Sequence, residues 1–391
     1  MNAVAFDPYD LSFRHDPYPT YERLREADPV HLTEAGTWVL SRYEDCARAL
    51  NDPDFGTEVP LDIREARRAL TPPPLAILSE TMLFRDPPDH TRLRSVVSAA
   101  FTPRAVEALR PGVEQIVDEL LSAVEGDGRM DLVADFAHPL PIRVICELLD
   151  LPVEDRDAIG VWSRDLAGVV DIPLDDTTVL AGARAAEALV EYFRRLVPAR
   201  RRRPGNDVLS ALATGALEEN ELLAVCVQLL FGGHETTQNL IGNGMLALLG
   251  HRDQLELLRD EPRLMRTAIE EFLRFDAAGQ LAGRWSKRPV VIGDRAIEPG
   301  HQVLLLLGSA NRDPTAFDDP DVLDVARTPN RHLTFGGGMH FCLGAPLARL
   351  EARIAFEALL RRFPRMELAT DDPSWRPTLA LRGLDSLPVT F

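Results

Sequence analysis

The sequence predicts a mainly α fold with a small β-sheet region, built as one domain over residues 1–391. Three observations point there. From Val106 to about Gly250, apolar residues recur at helical spacing with few breaks. The stretch PVVIGDRAIEPGHQVLLLL alternates instead, and turns at Gly293-Asp294 and Pro299-Gly300, as short strands do. The residue patterns that carry chemistry lie far apart, so they form one site only if the whole chain closes on itself. Length alone would allow two or three domains.

The totals set further limits. At 45% hydrophobic and 27% charged residues the composition is that of a globular protein with a large core. The net charge of −18 disfavours nucleic acid and anionic membrane surfaces as partners. Cys46, Cys146, Cys226 and Cys342 are widely spaced, without a CxxC pair, which fits reduced thiols and a cytoplasmic location. The opening MNAVAFDPYD lacks a basic region and an apolar run, so neither signal peptide nor anchor is expected. The longest helix candidate, Leu222 to Leu249, contains His234, Glu235, Gln238, Asn239 and Asn243, so it reads as a core helix and not a membrane span.

In chain order, DPYPTYERLREADPVH reads as a short helix ending near Asp28-Pro29. TWVLSRYEDCARAL starts as a strand, Thr37 to Leu40, and turns helical with Tyr43, Cys46 and Leu50. Residues 55–85 show no clear period, and Pro60, Pro72, Pro73 and Pro74 prevent long elements. A surface loop is the plain reading; a wall over a pocket is the functional one. In LFRDPPDHTRLR, Asp89 is expected to cap a helix that carries His90 and Arg94 at i and i+4, two potential cations on one face. The helices PGVEQIVDELLSAV and PLPIRVICELLD follow, then a region interrupted by Pro173, Asp175 and Asp176. Arg200 to Arg203 reads as a solvated turn.

The long helix carries LLFGGHETTQNL. Gly232 and Gly233 inside a helix cost roughly 1 kcal/mol each relative to Ala, which a close flat ligand would offset. Thr236 can bond back to the Gly232 carbonyl and bend the helix there. His234-Glu235 begins like a zinc-protease HExxH, but Gln238 stands where the second ligand would be. Glu271 and Arg274 sit at i, i+3, within ion-pair reach. In DAAGQL, Gly279 loosens the chain and Gln280 adds a polar group. ALRGLDSLPVTF reads as a hairpin turning near Gly383-Leu384. Cys342 lies between a glycine loop, Gly336 to Gly338, that can pass close to something flat, and a helix whose apolar face bears Leu347, Leu350 and Ile354. A thiolate there gains from the helix dipole. The plain reading is a small buried hydrophobe.

Phe335 to Gly344 reads F-G-x-G-x-H-x-C-x-G and resembles the haem-binding signature of the cytochrome P-450 superfamily. Gly232 to Thr236 resembles that family's G-G-x-[DE]-T, Glu271 to Arg274 its E-x-x-R, and His90 to Arg94 its H-x-x-x-R, all in family order. The resemblance covers nearly the whole chain. It implies the prism-like cytochrome P-450 fold and haem b (iron protoporphyrin IX), with Cys342 as the iron ligand. It implies that Phe335, Gly336, Gly344, Gly232 and Gly233 flank the haem and that His90, Arg94, Arg284 and His340 bind its propionates. Glu235 and Thr236 would supply protons, and Glu271, Arg274 and Arg327 would form a structural ion-pair group. Residues 55–85, DAAGQL and the C-terminal hairpin would face the substrate, and the helices around Pro173 would open the access channel. The implied function is a soluble haem-thiolate monooxygenase. It would insert one oxygen atom from O2 into an organic substrate by hydroxylation or epoxidation, in bacterial secondary metabolism, with a mid-sized apolar natural product as the substrate class. The substrate is free or tethered to a carrier protein. The chain holds no reductase segment, so electrons would come from a ferredoxin, docking near Arg349 and Arg353. A monomer is expected. A peroxide-using or non-hydroxylating haem-thiolate oxidase is the alternative within catalysis, and a haem-binding sensor or carrier the alternative outside it.

Overall fold

The computed structural model describes residues 6–171 and 175–391, with Arg68 lacking a described side chain. Pro173 therefore lies outside the described residues. Helices dominate and the strands are short. The helix Glu219–Gly250 is the axis of the fold and is buried on most of its faces. A capping box starts it: Glu218 accepts from the backbone three residues on, and the Glu221 carboxylate accepts from the Glu218 N–H at 3.1 Å. Helices Pro139–Leu148, Arg156–Gly168, Asp176–Arg202, Met265–Phe275 and Ala345–Arg362 pack around it. No helix among the described residues is long and apolar enough to cross a membrane.

The main sheet has five strands in the order Val30–Leu32, Trp38–Leu40, Gln302–Leu306, Leu281–Ser286, Phe55–Gly56. Only Trp38–Leu40 against Gln302–Leu306 is parallel. The predicted turns are present: Gly293 (φ 57°) and Gly300 (φ 80°) take the left-handed conformation between Val290–Ile292, Arg295–Ile297 and Gln302–Leu306.

Several local expectations change. Residues 55–85 are not one loop: they hold helix Leu61–Arg68 and shorter helical turns between the prolines. Strand Arg129–Asp131 interrupts the long helical stretch because Pro388–Thr390 pairs with it. Asp89 does not cap its helix; it is the first helical residue, Pro88 holds the cap position, and no side-chain cap bond forms. Asp175 does cap Asp176–Arg202, accepting from the Thr178 N–H at 2.7 Å. Arg201 to Arg203 are solvated as expected, but Arg200 to Arg202 are that helix's last turn, with Arg200 on Asp150 at 2.5 Å and Arg201 on the Ala213 carbonyl at 3.0 Å. Gly383-Leu384 is not the tip of the C-terminal hairpin. Leu384–Ser386 is a strand paired with Ser374–Trp375, and the chain reverses over 376–383.

Glu271 and Arg274 are both fully buried, paired at 2.8 Å through two hydrogen bonds. Glu271 also accepts from Arg327 Nε at 3.1 Å, Asn330 Nδ2 at 3.1 Å and the Asp324 N–H at 2.9 Å. Arg274 donates onward to the carbonyls of Asn311, Pro320 and Val322. The predicted third member, Arg327, is in place. One buried carboxylate thus ties helix Met265–Phe275 to residues 311–330, the segment that leads into the cysteine loop. Glu271→Ala would leave two arginines uncompensated, at a cost of about 3–5 kcal/mol. We expect the variant to fold poorly, read as the thermal midpoint. A midpoint within a degree of wild type would contradict this role.

Candidate active site

The cysteine loop is shaped by glycine. Gly336 (φ 68°) and Gly338 (φ 60°) are left-handed. A Cβ on Gly338 would lie 2.5 Å from the Leu50 carbonyl, so at this position the loop passes close to helix Tyr43–Asn51. The Cys342 N–H donates to the Phe335 carbonyl at 2.8 Å and closes the loop. Cys46, Cys146 and Cys226 are buried, whereas Cys342 keeps accessible surface. Burial nonetheless pushes its thiol pKa up, opposed by the N–H groups of Gly344 and Ala345 at the start of helix Ala345–Arg362. Accessible sulfur inside enclosing protein means that Cys342 lines a recess.

Two histidines and two arginines gather beside it. His90 and His340 have ring centroids 4.3 Å apart. His90 is buried, its Nδ1 has no hydrogen-bond partner among the described residues, and burial lowers its pKa to about 4, helped by His340 and Arg94. His340 Nε2 lies 3.2 Å from Thr57 Oγ1 and 4.0 Å from Asp86, which itself holds Lys287 at 2.8 Å. Burial lowers the His340 pKa, and both Arg284 and Arg94 add to that. Arg94 donates to the Phe341 carbonyl at 2.7 Å. Arg284 is 5% exposed, donates to the adjacent Gly283 carbonyl at 2.9 Å, and has its pKa lowered by burial to about 10. The structure thus brings together His90, Arg94, Arg284 and His340. Buried donors of this kind, next to a recessed thiol, fit a group with two carboxylates and a metal that prefers sulfur.

The central helix supplies the other wall. A Cβ on Gly232 would meet nothing within 4 Å, and one on Gly233 would touch Ile145 at 3.4 Å. No protein neighbour therefore requires glycine at 232. Thr236 donates to the Gly232 carbonyl at 3.4 Å, as expected, within a helix that stays α-helical there. Glu235 behaves differently from its neighbour. It is 2% exposed and ion-paired with Arg376 through Oε2, while Oε1 has no hydrogen-bond partner among the described residues. Burial works to raise its pKa, and Arg376, His234 and Arg164 outweigh it, so the net direction is down. Glu235, Asn239 and Asn243 form an i, i+4, i+8 stripe on the C-terminal segment. Arg376 binds the first two, and Asn243 donates to the Asp276 and Arg382 carbonyls at 3.2 Å.

A cytochrome P450 family model matches residues 184–379. The chain is 39% identical to the polyketide biosynthesis cytochrome P450 PksS of Bacillus subtilis, over the full length of both. It is 40% identical to the 6-deoxyerythronolide B hydroxylase of Saccharopolyspora erythraea, over 97% of this chain and 96% of that one. The crystal structure of P450BioI in complex with an acyl carrier protein ligated to hexadec-9Z-enoic acid superposes with a TM-score of 0.93 at 40% identity, covering 97% and 99% of the two chains.

The chain belongs to the cytochrome P450 family. It has the P450 fold, takes haem as its cofactor and is a P450 monooxygenase, similar to bacterial members of secondary metabolism.

In this P450 three expectations need correction. Gln280 does not reach a substrate space: it is fully buried, donates to the Ala277 carbonyl at 2.9 Å and to Tyr18 Oη at 3.3 Å, and packs on Gly308, where a Cβ would collide with it. Gly279 is bridged to Leu381, which holds its segment against the C-terminal loop. Arg349 is no free docking cation: it binds Glu270 through two hydrogen bonds of 2.6 and 2.7 Å and stacks on Phe335. Arg353 remains half exposed, paired with Glu357. Sequence reasoning missed Arg376, Arg164 and His138. The stripe at 235, 239 and 243 was a visible signal that a polar partner must exist, but nothing local marks Arg376 as that partner.

His234 is fully buried and burial lowers its pKa to about 3 from the usual 6.5; His138 beside it is lowered as well, chiefly by burial. A histidine depressed in the folded state stabilises above pH 6.5 and loses that contribution as pH falls towards 3. The loss for His234 is on the order of 1 kcal/mol per pH unit. We expect the denaturant midpoint to drop between pH 7 and pH 5 by more in the wild type than in His234→Gln. Equal drops would contradict it.

Proposed function

We propose that this P450 works as one domain in the cytoplasm and hydroxylates or epoxidises a mid-sized apolar natural product with electrons from a ferredoxin. The cluster of buried His90 and Arg284 with half-buried Arg94 and His340 beside Cys342 carries this reading. In it, Cys342 holds the iron, these two arginines and two histidines hold the propionates, and Gly232 and Gly233 leave room on the central helix. The haem, when bound, supplies oxygen activation. The protein's part is ligation, orientation and proton supply.

The acid–alcohol pair does the last of these. Thr236 presents its hydroxyl on the Gly232 face, held by a single long bond of 3.4 Å that is easily exchanged. Glu235 lies one residue back, buried and charged. Adjacent helical side chains do not face each other, so a proton taken up by its carboxylate passes through water to the Thr236 hydroxyl as that hydroxyl gives up its own. This pair favours the monooxygenase over peroxide use, and over a sensor, for which it would have no task. Similarity to PksS and to the carrier-bound P450BioI supports a polyketide- or acyl-type substrate, free or carrier-tethered. Electron delivery uses the face around Cys342, where Met339 and Phe341 are exposed.

A compound library screened for the spectral shift of substrate binding should find such a molecule. With it and a surrogate ferredoxin system, Thr236→Ala and Glu235→Gln are each expected to raise peroxide released per NADPH by at least about tenfold, the scale of lost general acid catalysis. Peroxide release equal to wild type in both variants would remove the assignment.

A further inference from the structure

A second polar cluster shares Glu235 with the acid–alcohol pair. His138 starts helix Pro139–Leu148, Ser163 and Arg164 lie on helix Arg156–Gly168, and His234 and Gln238 are on the central helix. His138 Nδ1 lies 2.8 Å from Gln238 Oε1 and 3.0 Å from His234 Nε2. His234 Nδ1 lies 3.2 Å from Ser163 Oγ, which donates to the Leu230 carbonyl at 3.3 Å. These contacts select one proton arrangement. The Gln238 oxygen requires N–H at His138 Nδ1, so His234 Nε2 accepts. His234 Nδ1 then carries the proton that Ser163 accepts. Both imidazoles are neutral in it.

Arg164 completes the cluster from outside. Its Nη2 is 3.2 and 2.9 Å from the two ring nitrogens of His138. A donor in line with one lone pair would be much farther from the other nitrogen, so the guanidinium sits over the ring. That contact is attractive to a neutral ring and repelled by a charged one. Yet Arg164 has another place to go. Its Nε is 4.0 Å from Glu235 Oε1, the buried oxygen without a hydrogen-bond partner among the described residues, and half its side chain is exposed. A buried carboxylate oxygen left unpaired next to an arginine is unfavourable unless something restrains the arginine. The charged groups that face His138 are Arg164, Glu235 and Arg376, with His234 as the further titratable one.

We propose that His138 is a positioning residue for Glu235: it keeps Arg164 on its own ring and off Oε1, so that this oxygen stays open to take up a proton bound for Thr236. The proposal rests on the reading of Glu235 as the proton-delivering acid. Only O–H bonds change in that transfer. Water carries a proton to Oε1 and on from Oε1 to Thr236 Oγ, and the Thr236 proton moves on. With Arg164 closed on Oε1, both carboxylate oxygens would hold an arginine and neither would be open.

The test uses the haem-loaded protein. Crystal structures of His138→Leu and His138→Gln should each show an Arg164 nitrogen within about 3.2 Å of Glu235 Oε1. Both variants should also release more peroxide per NADPH, by about tenfold, the scale of one charge-assisted hydrogen bond, and adding Arg164→Gln should reverse that rise. Either variant suffices if the other fails to fold. Arg164 pointing to solvent in the variant structures would overturn the proposal, as would a rise in peroxide that Arg164→Gln leaves in place. The acid reading itself is tested separately by Glu235→Gln, whose outcome does not depend on where Arg164 goes.

Discussion

A charge taken out of water must meet its counter-charge within the protein, and the rest of this structure depends on how one carboxylate, Glu271, does so. Two arginines, one asparagine and a backbone N–H converge on it. Their far ends reach the carbonyls of residues 311–322. From there Asn311 accepts from the Leu333 N–H at 2.7 Å and donates to Thr334 at 2.9 Å, and Thr334 donates to Leu273 at 2.6 Å. Phe335 and Cys342 follow directly. Burying such a group stabilises little in net terms, since desolvation offsets much of the attraction. What it contributes is one geometry for the chain leading into the cysteine loop.

The central helix solves the same problem on two faces. One polar stripe, Glu235, Asn239 and Asn243, holds the C-terminal segment. The other, His234 and Gln238, holds the helices that begin at Pro139 and Arg156. Between them runs the face of Gly232 and Thr236, which makes few protein contacts. Residues that would spoil a membrane helix are therefore the cross-links that orient everything around the site.

Much of this was legible in the sequence because it is local. The helix and strand periods, the left-handed glycines at 293 and 300, and the spacing of Glu271 and Arg274 are all set by near neighbours. The site residues His90, Arg94, Arg284 and His340 could be placed together only through the resemblance to a family, since three separate segments supply them. What stayed hidden is tertiary. Arg376 follows a short strand with no pattern of its own, yet it neutralises Glu235. Gln280 looked like a pocket residue because its chain position said so, and Gly308 leaves room for it to turn inward. Arg349 looked like an exposed cation on a helix face, and Glu270, on a different helix, occupies it.

The central claim is that Cys342 is the axial thiolate of a haem held by His90, Arg94, Arg284 and His340. The most direct measurement is the absorption spectrum of the reduced, carbon-monoxide-bound protein. Wild type should show the red-shifted Soret band of thiolate ligation, and Cys342→Ser, if it still carries haem, should not. A well-folded, haem-loaded wild type without that band, or a Cys342→Ser variant that retains it, would contradict the account.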